Sequence, residues 1–315
     1  VTQQSSAEDY EAAAIALAED GQFGSAWVQL ATALSLDPLH SGRLKLADAW
    51  LKEYPEALTS AQEHGDFFGV VALRARLHAH QNQTAEGFAL LLQVAAFRPD
   101  LPYLEWLNQW QHLPIAECDL DEIGPSLAGF VQALGPAQIE NPGRRINAQG
   151  ALDLVETLLA GHLHHEQLMI LKITLLRRLG EKQLALEAAT DHFSSAPSWR
   201  TAVTAANACR AIGQLDQALG YYRRAIALDP GQVTTYLDVG DTCVERQGYE
   251  EAQQAYSEAL RLDPLNIWAR AAASIARHRV APTAQSLKEA RAWENHETIG
   301  KRVRALFASE EPSLP

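Results

Sequence analysis

Ala225-Ile226-Ala227-Leu228-Asp229-Pro230 and Ala259-Leu260-Arg261-Leu262-Asp263-Pro264 are one phrase written twice, with the prolines 34 residues apart. A third copy, Ala33-Leu34-Ser35-Leu36-Asp37-Pro38, stands near the start of the chain. Aligned backwards from the prolines, small residues recur in register: Ala218 with Ala252, Ala225 with Ala259, and Ala206 with Gly240. Tyr222 matches Tyr256, and turn glycines sit at Gly213 and, one position out of register, Gly248. The first copy supplies Ala14, Gly21, Ala26, Leu30 and Ala33 in the same roles.

This interval has a mechanical meaning. Two amphipathic stretches of roughly 13 residues flank each glycine, the pattern of an antiparallel helix pair. Helices pack about 8–10 Å apart, and closer where the facing side chains are small. Ala or Gly on the first helix facing Ala on the second gives that approach, and Tyr222, Tyr256 and Leu30 fill the space between pairs. The closing proline cannot continue the helix and ends each unit.

These residues resemble the tetratricopeptide repeat family, a 34-residue helix–turn–helix unit. Residues 233–266 match its pattern at Tyr236, Val239, Gly240, Tyr249, Ala252, Tyr256, Ala259 and Pro264, departing at Cys243 where an aromatic is usual. Residues 199–232 match at Leu215, Ala218, Tyr222, Ala225 and Pro230, with Ala202 and Cys209 smaller than the family prefers. Residues 7–40 match at Tyr10, Ala14, Phe23, Ala26, Leu30, Ala33 and Pro38. The resemblance implies an all-α chain, an α-solenoid whose helix pairs stack into a right-handed superhelix.

Elsewhere the pattern decays. Residues 166–198 read as a degenerate unit with Gly180 at its turn, Ala185 and Ala189 on its second helix and Pro197 closing. Residues 41–101 read as two more pairs, 44–58 with a break at Pro55 and 67–97 with a turn near 81–84. After Pro264, residues 267–279 read as another first helix and 286–307 as a terminal solvating helix, which such arrays need because an end unit lacks a neighbour. Six of the fourteen prolines, Pro136 among them, fall within 99–143, so helices there are expected to be short, with Asn141-Pro142-Gly143 as a turn. The expected organisation is an N-terminal array over 7–101, a Pro/Gly-rich joint over 102–147, a C-terminal array with its capping helix over 148–309, and a tail over 310–315. A single continuous solenoid with one irregular pair is the alternative.

At 315 residues, 47% apolar and 21% charged, the chain is globular rather than disordered. A net charge of −13 argues against a nucleic-acid partner, because such a surface repels phosphates. No run of 18 apolar residues exists to span a membrane. Three cysteines and no opening signal peptide point to the cytoplasm. Residues 1–66 carry 11 acidic and 3 basic side chains, whereas 267–304 carry 8 basic and 3 acidic, so the acidic first helix (Glu8, Glu11, Glu19) and the basic C-terminal helices are candidates for different contacts, self-association among them.

Catalytic signatures are missing. There is no phosphate-cradling glycine loop, no G-x-S-x-G elbow and no H-E-x-x-H helix. The best metal candidate, Gly161-His162-Leu163-His164-His165-Glu166, reads as a solvated interhelix turn. Cys209 and Cys243 hold equivalent positions in adjacent units, about one helix spacing apart, beyond the roughly 4.4–6.8 Å a disulfide needs. Cys118 lies in the Pro-rich joint, and Trp106 and Trp110 read as packing rather than as a base-stacking platform. No enzyme activity, cofactor or metal is expected.

In the resembled family the first helices line a concave face that holds a peptide or a partner helix. Carried over, the lining positions give Arg177 from the unit 166–198, Arg200, Asn207 and Arg210 from the next, and Thr234, Asp241 and Glu245 from the one after. Asn207 can bond a ligand backbone, and Arg200 and Arg210 can pair with a carboxylate. Asp241 and Glu245 break the basic set that a terminal-carboxylate grip requires. The reading is an interaction scaffold for a protein or peptide partner. The alternative is a targeting or regulatory module of a larger enzyme, suggested by the missing initiator Met and the linker-like end.

Overall fold

The computed structural model describes residues 5–60, 67–110, 112–135, 137–163 and 165–308. Pro136, His164, the opening residues 1–4 and the tail 310–315 lie outside them. Among the described residues every regular element is a helix. They run α1 Ala7–Glu19, α2 Phe23–Leu36, α3 Ser41–Glu53, α4 Pro55–Ser60, α5 Phe68–His80 and α6 Thr84–Phe97. Two 3₁₀ helices, Tyr103–Gln109 and Ile115–Glu117, precede α7 Leu120–Ala133, α8 Pro142–Gly161 and α9 Glu166–Leu179. Then come α10 Lys182–Ser195, α11 Trp199–Ala211, α12 Leu215–Leu228, α13 Val233–Glu245, α14 Tyr249–Leu262, α15 Ile267–Val280, α16 Ala284–Arg291, a 3₁₀ turn Ala292–Asn295, and α17 Gly300–Ala308. No described helix is long and apolar enough to cross a membrane.

The repeated phrase stops helices for a stated reason. A residue before proline is pushed out of the helical region. Accordingly Asp37, Asp229 and Asp263 turn to extended angles (φ −145°, −146° and −135°) directly after α2, α12 and α14. Asp229 then receives the Gly231 N–H at 3.0 Å and the Gln232 amide at 2.7 Å, so the stop also organises the entry to α13. Gly213 takes φ +79° at the turn inside the unit 199–232. In the next unit its counterpart is Gln247, at φ +64°, and the glycine read as the turn, Gly248, is the residue that precedes α14.

The chain divides into two compact units, Val1–Glu181 and Lys182–Pro315. Within the second, α10 packs on α11 and each helix as far as α16 packs on its successor, a solenoid order. Its seams are alanine: Ala202, Ala205 and Ala206 on α11, Ala218 and Ala225 on α12, Ala252 and Ala259 on α14 are all buried, as the interval required. The first unit packs α1 on α2, α5 on α6, α6 on α7 and α8 on α9, and its core is aromatic, with Trp27, Phe88, Tyr103 and Trp106 fully buried. Arg43 of α3, 1% exposed, binds Glu11 at 2.8 Å and Glu8 at 3.3 Å. Two of the three acidic residues assigned to outside contacts thus tie α1 to α3.

Several sequence expectations are revised. Residues 166–198 do not form one hairpin unit: α9 pairs with α8 and α10 with α11, and the boundary between compact units falls between them. Asn141-Pro142-Gly143 starts a helix instead of making a turn, because the Asn141 side chain accepts the Arg144 N–H at 3.0 Å and proline is tolerated at the first helical position. Pro125 lies inside the 14-residue α7, so the helices of the proline-rich stretch are not all short. The terminal solvating helix is two helices, α16 and α17, parted by the turn at Ala292–Asn295. Val303 and Phe307 of α17 bury against Ala271, Ile275 and Ala290, so it is an apolar lid on α15 as much as a solvated surface.

Candidate binding groove

The first helices of the second unit's repeats, α11, α13 and α15, carry equivalent residues one above another. Asn207 and Asp241 are 34 residues apart, and each receives the hydroxyl of the tyrosine 15 residues downstream. Tyr222 donates to Asn207 Oδ1 at 2.8 Å and Tyr256 to Asp241 Oδ1 at 2.7 Å. Burial first, and then the neighbouring Asp241 charge, hold the Tyr256 hydroxyl far above its ordinary pKa, so it stays a donor. Both tyrosine rings close the seam behind the lining residues, which is why the family-like small residues and the site positions share helices. At Gly240 the ring comes so near that a Cβ would stand 2.3 Å from Tyr256 Cε1.

In front of this wall lies a cavity of about 200 Å³ lined by Arg210, Asp241, Val244, Glu245, Tyr256, Trp268, Ala272, Ile275, Arg302 and Leu306. Its rim holds two ion pairs. Arg210 Nε donates to both Glu245 oxygens at 3.0 Å, and its NH2 to Oε1 at 2.5 Å. Burial works against the Arg210 cation, but the Glu245 hydrogen bonds and charge outweigh it and hold its pKa above the ordinary value. On the opposite side Arg302 of α17 donates to Asp241 Oδ2 at 2.5 Å and lies over the Trp268 ring, 3.4 Å from its centroid. The floor is apolar: Val244, Ala272, Ile275 and Leu306. A surface of this kind holds an apolar side chain of a partner while its edges read charge.

Of the residues nominated from sequence, Arg210, Asp241 and Glu245 meet at this cavity. Asn207 stands on the same face but its amide oxygen is occupied by Tyr222. Arg200 and Thr234 are exposed on α11 and α13. Arg177 belongs to α9 of the first unit and is half-buried there. Arg210 pairs with a carboxylate of its own chain, and Glu245 and Asp241, expected to repel a carboxylate, are each neutralised in place. Trp268 and Arg302 were missed. Both continue one register position, 200, 234, 268, 302, and carrying the 34-residue interval past the last full repeat finds them.

The histidine cluster is a helix junction. His165 caps α9 by accepting the Leu168 N–H at 3.4 Å, His162 bonds the Cys118 carbonyl at 3.1 Å, and His164 lies outside the described residues. No cluster of three metal-ligating side chains occurs among the described residues. Cys118, Cys209 and Cys243 are buried free thiols, and burial pushes the Cys243 thiol up to about 11.

No protein-family model matches the chain, and no curated protein does. Among solved structures it is similar to a MamA fragment, residues 41 to the end, from Desulfovibrio magneticus RS-1 (17% identity, 54% of this chain and 90% of that one, TM-score 0.41). It is also similar to YrrB, titled as a TPR protein with an unusual peptide-binding site (17%, 68% and 95%, TM-score 0.39). A third is a tetratricopeptide repeat protein from Parabacteroides merdae ATCC 43184 (13%, 86% and 98%, TM-score 0.41). The repeat reading rests on this chain's own register of residues.

Proposed function

We propose, from the tetratricopeptide-like repeat that the chain's own register carries, that the protein is a non-catalytic interaction scaffold whose second unit holds a peptide or helix of a protein partner along α11, α13 and α15. The observation that supports this reading is the cavity of about 200 Å³ into which three successive first helices send side chains, apolar on its floor and charged on its rim. That volume suits one large aliphatic or aromatic anchor, and anchors in desolvated pockets supply most of the affinity of such interfaces. Arg210, Asp241 and Glu245 orient the segment at the rim, while Arg200, Asn207 and Thr234 extend the same face towards α11.

The test is a peptide-library selection on the intact protein, repeated with Val244→Trp, which fills the cavity, and with Leu228→Trp, an equal change at a position half exposed on α12. Ligands kept by Leu228→Trp and lost by Val244→Trp are the expected outcome. Ligands indifferent to Val244→Trp would remove the groove from consideration.

A further inference from the structure

Arg302 sits in the trough as a ligand would. Its guanidinium is stacked 3.4 Å over Trp268, its NH2 meets Asp241, and the side chain remains 53% exposed. The receiving groups are fixed independently of it. The Trp268 indole N–H donates to Asp241 Oδ1 at 3.2 Å and the Tyr256 hydroxyl donates to the same oxygen at 2.7 Å, with Asp241 only 13% exposed. One carboxylate therefore orients an aromatic wall by one oxygen and offers its other oxygen to a cation lying on that wall. An aromatic face beside a carboxylate is the chemistry of guanidinium recognition, since a planar guanidinium stacks and donates at the same time whereas an ammonium does not. Arg210 and Glu245 neutralise each other next door, so without Arg302 the uncompensated charge of the subsite is that of Asp241.

We propose that Trp268 and Asp241 form an arginine-binding subsite of the trough, filled in cis by Arg302 until an arginine side chain of a partner takes its place. The proposal rests on the reading of the trough as a partner-binding groove. Exchange requires little rearrangement. α17 is anchored by Val303 and Phe307 against Ala271, Ile275 and Ala290, and its Leu306 carbonyl accepts from Arg279 at 3.1 Å, so the Arg302 side chain can swing into solvent while its helix stays docked. One guanidinium replaces another, and the contacts that a partner makes with the adjoining cavity decide the exchange. Arg302 thus sets a threshold: a lone arginine competes poorly, and an arginine beside an apolar anchor competes well.

The experiment uses the whole chain as wild type, Arg302→Ala, and Arg302→Ala with Asp241→Asn, each checked by circular dichroism. The probes are N-acetyl-arginine amide, N-acetyl-lysine amide and N-acetyl-aspartate amide. The readout is the NMR signal of the Trp268 indole N–H, assigned by its loss in Trp268→Phe. Expected is a saturable shift in Arg302→Ala with the arginine amide, at least about threefold tighter than the lysine amide and at least about fivefold tighter than in wild type, with no response to the aspartate amide and none in the double variant. Should the double variant fail to fold, the arginine-to-lysine ratio on Arg302→Ala decides alone. No saturable shift in Arg302→Ala, equal response to lysine, or wild-type binding as tight as that of Arg302→Ala overturns the proposal. Library ligands that require an open cavity at Val244 but are indifferent to arginine would sink this subsite and leave the groove standing. Ligands that ignore the cavity would sink the groove while the amide titration still reads the subsite.

Discussion

Gly240→Ala is the sharpest probe of the packing that builds the trough. In an unconstrained helix the change stabilises by about 1 kcal/mol, because alanine loses less backbone entropy. Here the new Cβ meets the Tyr256 ring at 2.3, 2.6 and 2.7 Å from Cε1, Cζ and Cδ1, far inside contact distance. The ring is 1% exposed and tied by its hydroxyl to Asp241, so it has no free direction of retreat. Overpacking of this kind costs about 1–3 kcal/mol, and loosening a hydrogen bond to a carboxylate adds about 1 kcal/mol or more. Net destabilisation of about 1–3 kcal/mol is expected after the propensity gain is subtracted. Gly220→Ala in α12 is the matched control, since a Cβ there meets nothing within 4 Å, and it should stabilise by up to about 1 kcal/mol. Urea unfolding followed by helical circular dichroism measures both. A cycle with Tyr256→Leu, which removes the ring edge, should return most of the loss as coupling energy. If Gly240→Ala stabilised as Gly220→Ala does, or if its effect were the same with and without the ring, the close seam between α13 and α14 would be wrong.

Gln247→Gly should raise stability by up to about 1 kcal/mol in the same assay, because a non-glycine side chain at φ +64° is strained where Gly213 in the preceding unit is not. Arg43→Ala should destabilise by about 3 kcal/mol, since it strands Glu11 against an emptied buried site; Arg43→Met should recover much of that, and thermal unfolding separates the two. For Asp48 burial pushes the carboxyl up, but hydrogen bonds from Arg76 and His80 outweigh it and hold the pKa below its ordinary 3.8. The stability it contributes is therefore complete above pH 3.8 and is lost as pH falls through the lower folded value. Urea midpoints measured from pH 5 to pH 3 should fall less for Asp48→Asn than for wild type, and parallel slopes would deny Asp48 that role.

The fold was legible wherever short side chains recur. The limits expected for the units 7–40, 199–232 and 233–266 enclose α1–α2, α11–α12 and α13–α14, because alanine, tyrosine and Asp-Pro act locally and need no partner information. What failed has an equally local cause. Residues 166–198 carry a positive-φ glycine at Gly180 and small residues on α10, the signals of a hairpin, yet α9 finds its apolar partner in α8 and α10 in α11. A turn and two amphipathic stretches state that two helices exist; which faces meet depends on neighbours that the stretch does not contain. The same limit hid half of the cavity. Arg210, Asp241 and Glu245 follow from register, but their mutual neutralisation depends on Arg302, and counting charges along one helix cannot reveal a counter-ion 61 residues away. Asn207, read as a free amide, is held by Tyr222 for the same reason.

The cavity exists because the repeat keeps some positions and changes others. Seam positions stay small from unit to unit, Ala218 with Ala252 and Ala225 with Ala259, so successive pairs dock alike and their first helices stay aligned. Lining positions drift within that fixed frame: Asn207, Asp241 and Ile275 at one height, Arg200, Thr234, Trp268 and Arg302 at another. The tyrosine that closes the seam at 222 and 256 becomes Ala290 one interval later, and the space that a ring would have filled is taken by Val303 and Phe307 of α17. Seating α17 there is what brings Arg302 onto Trp268. A single loss of the repeat's aromatic residue thus ends the regular array and places a cation from the terminal helix at the end of its trough. The most irregular part of the second unit is for that reason the part with chemistry to offer a partner.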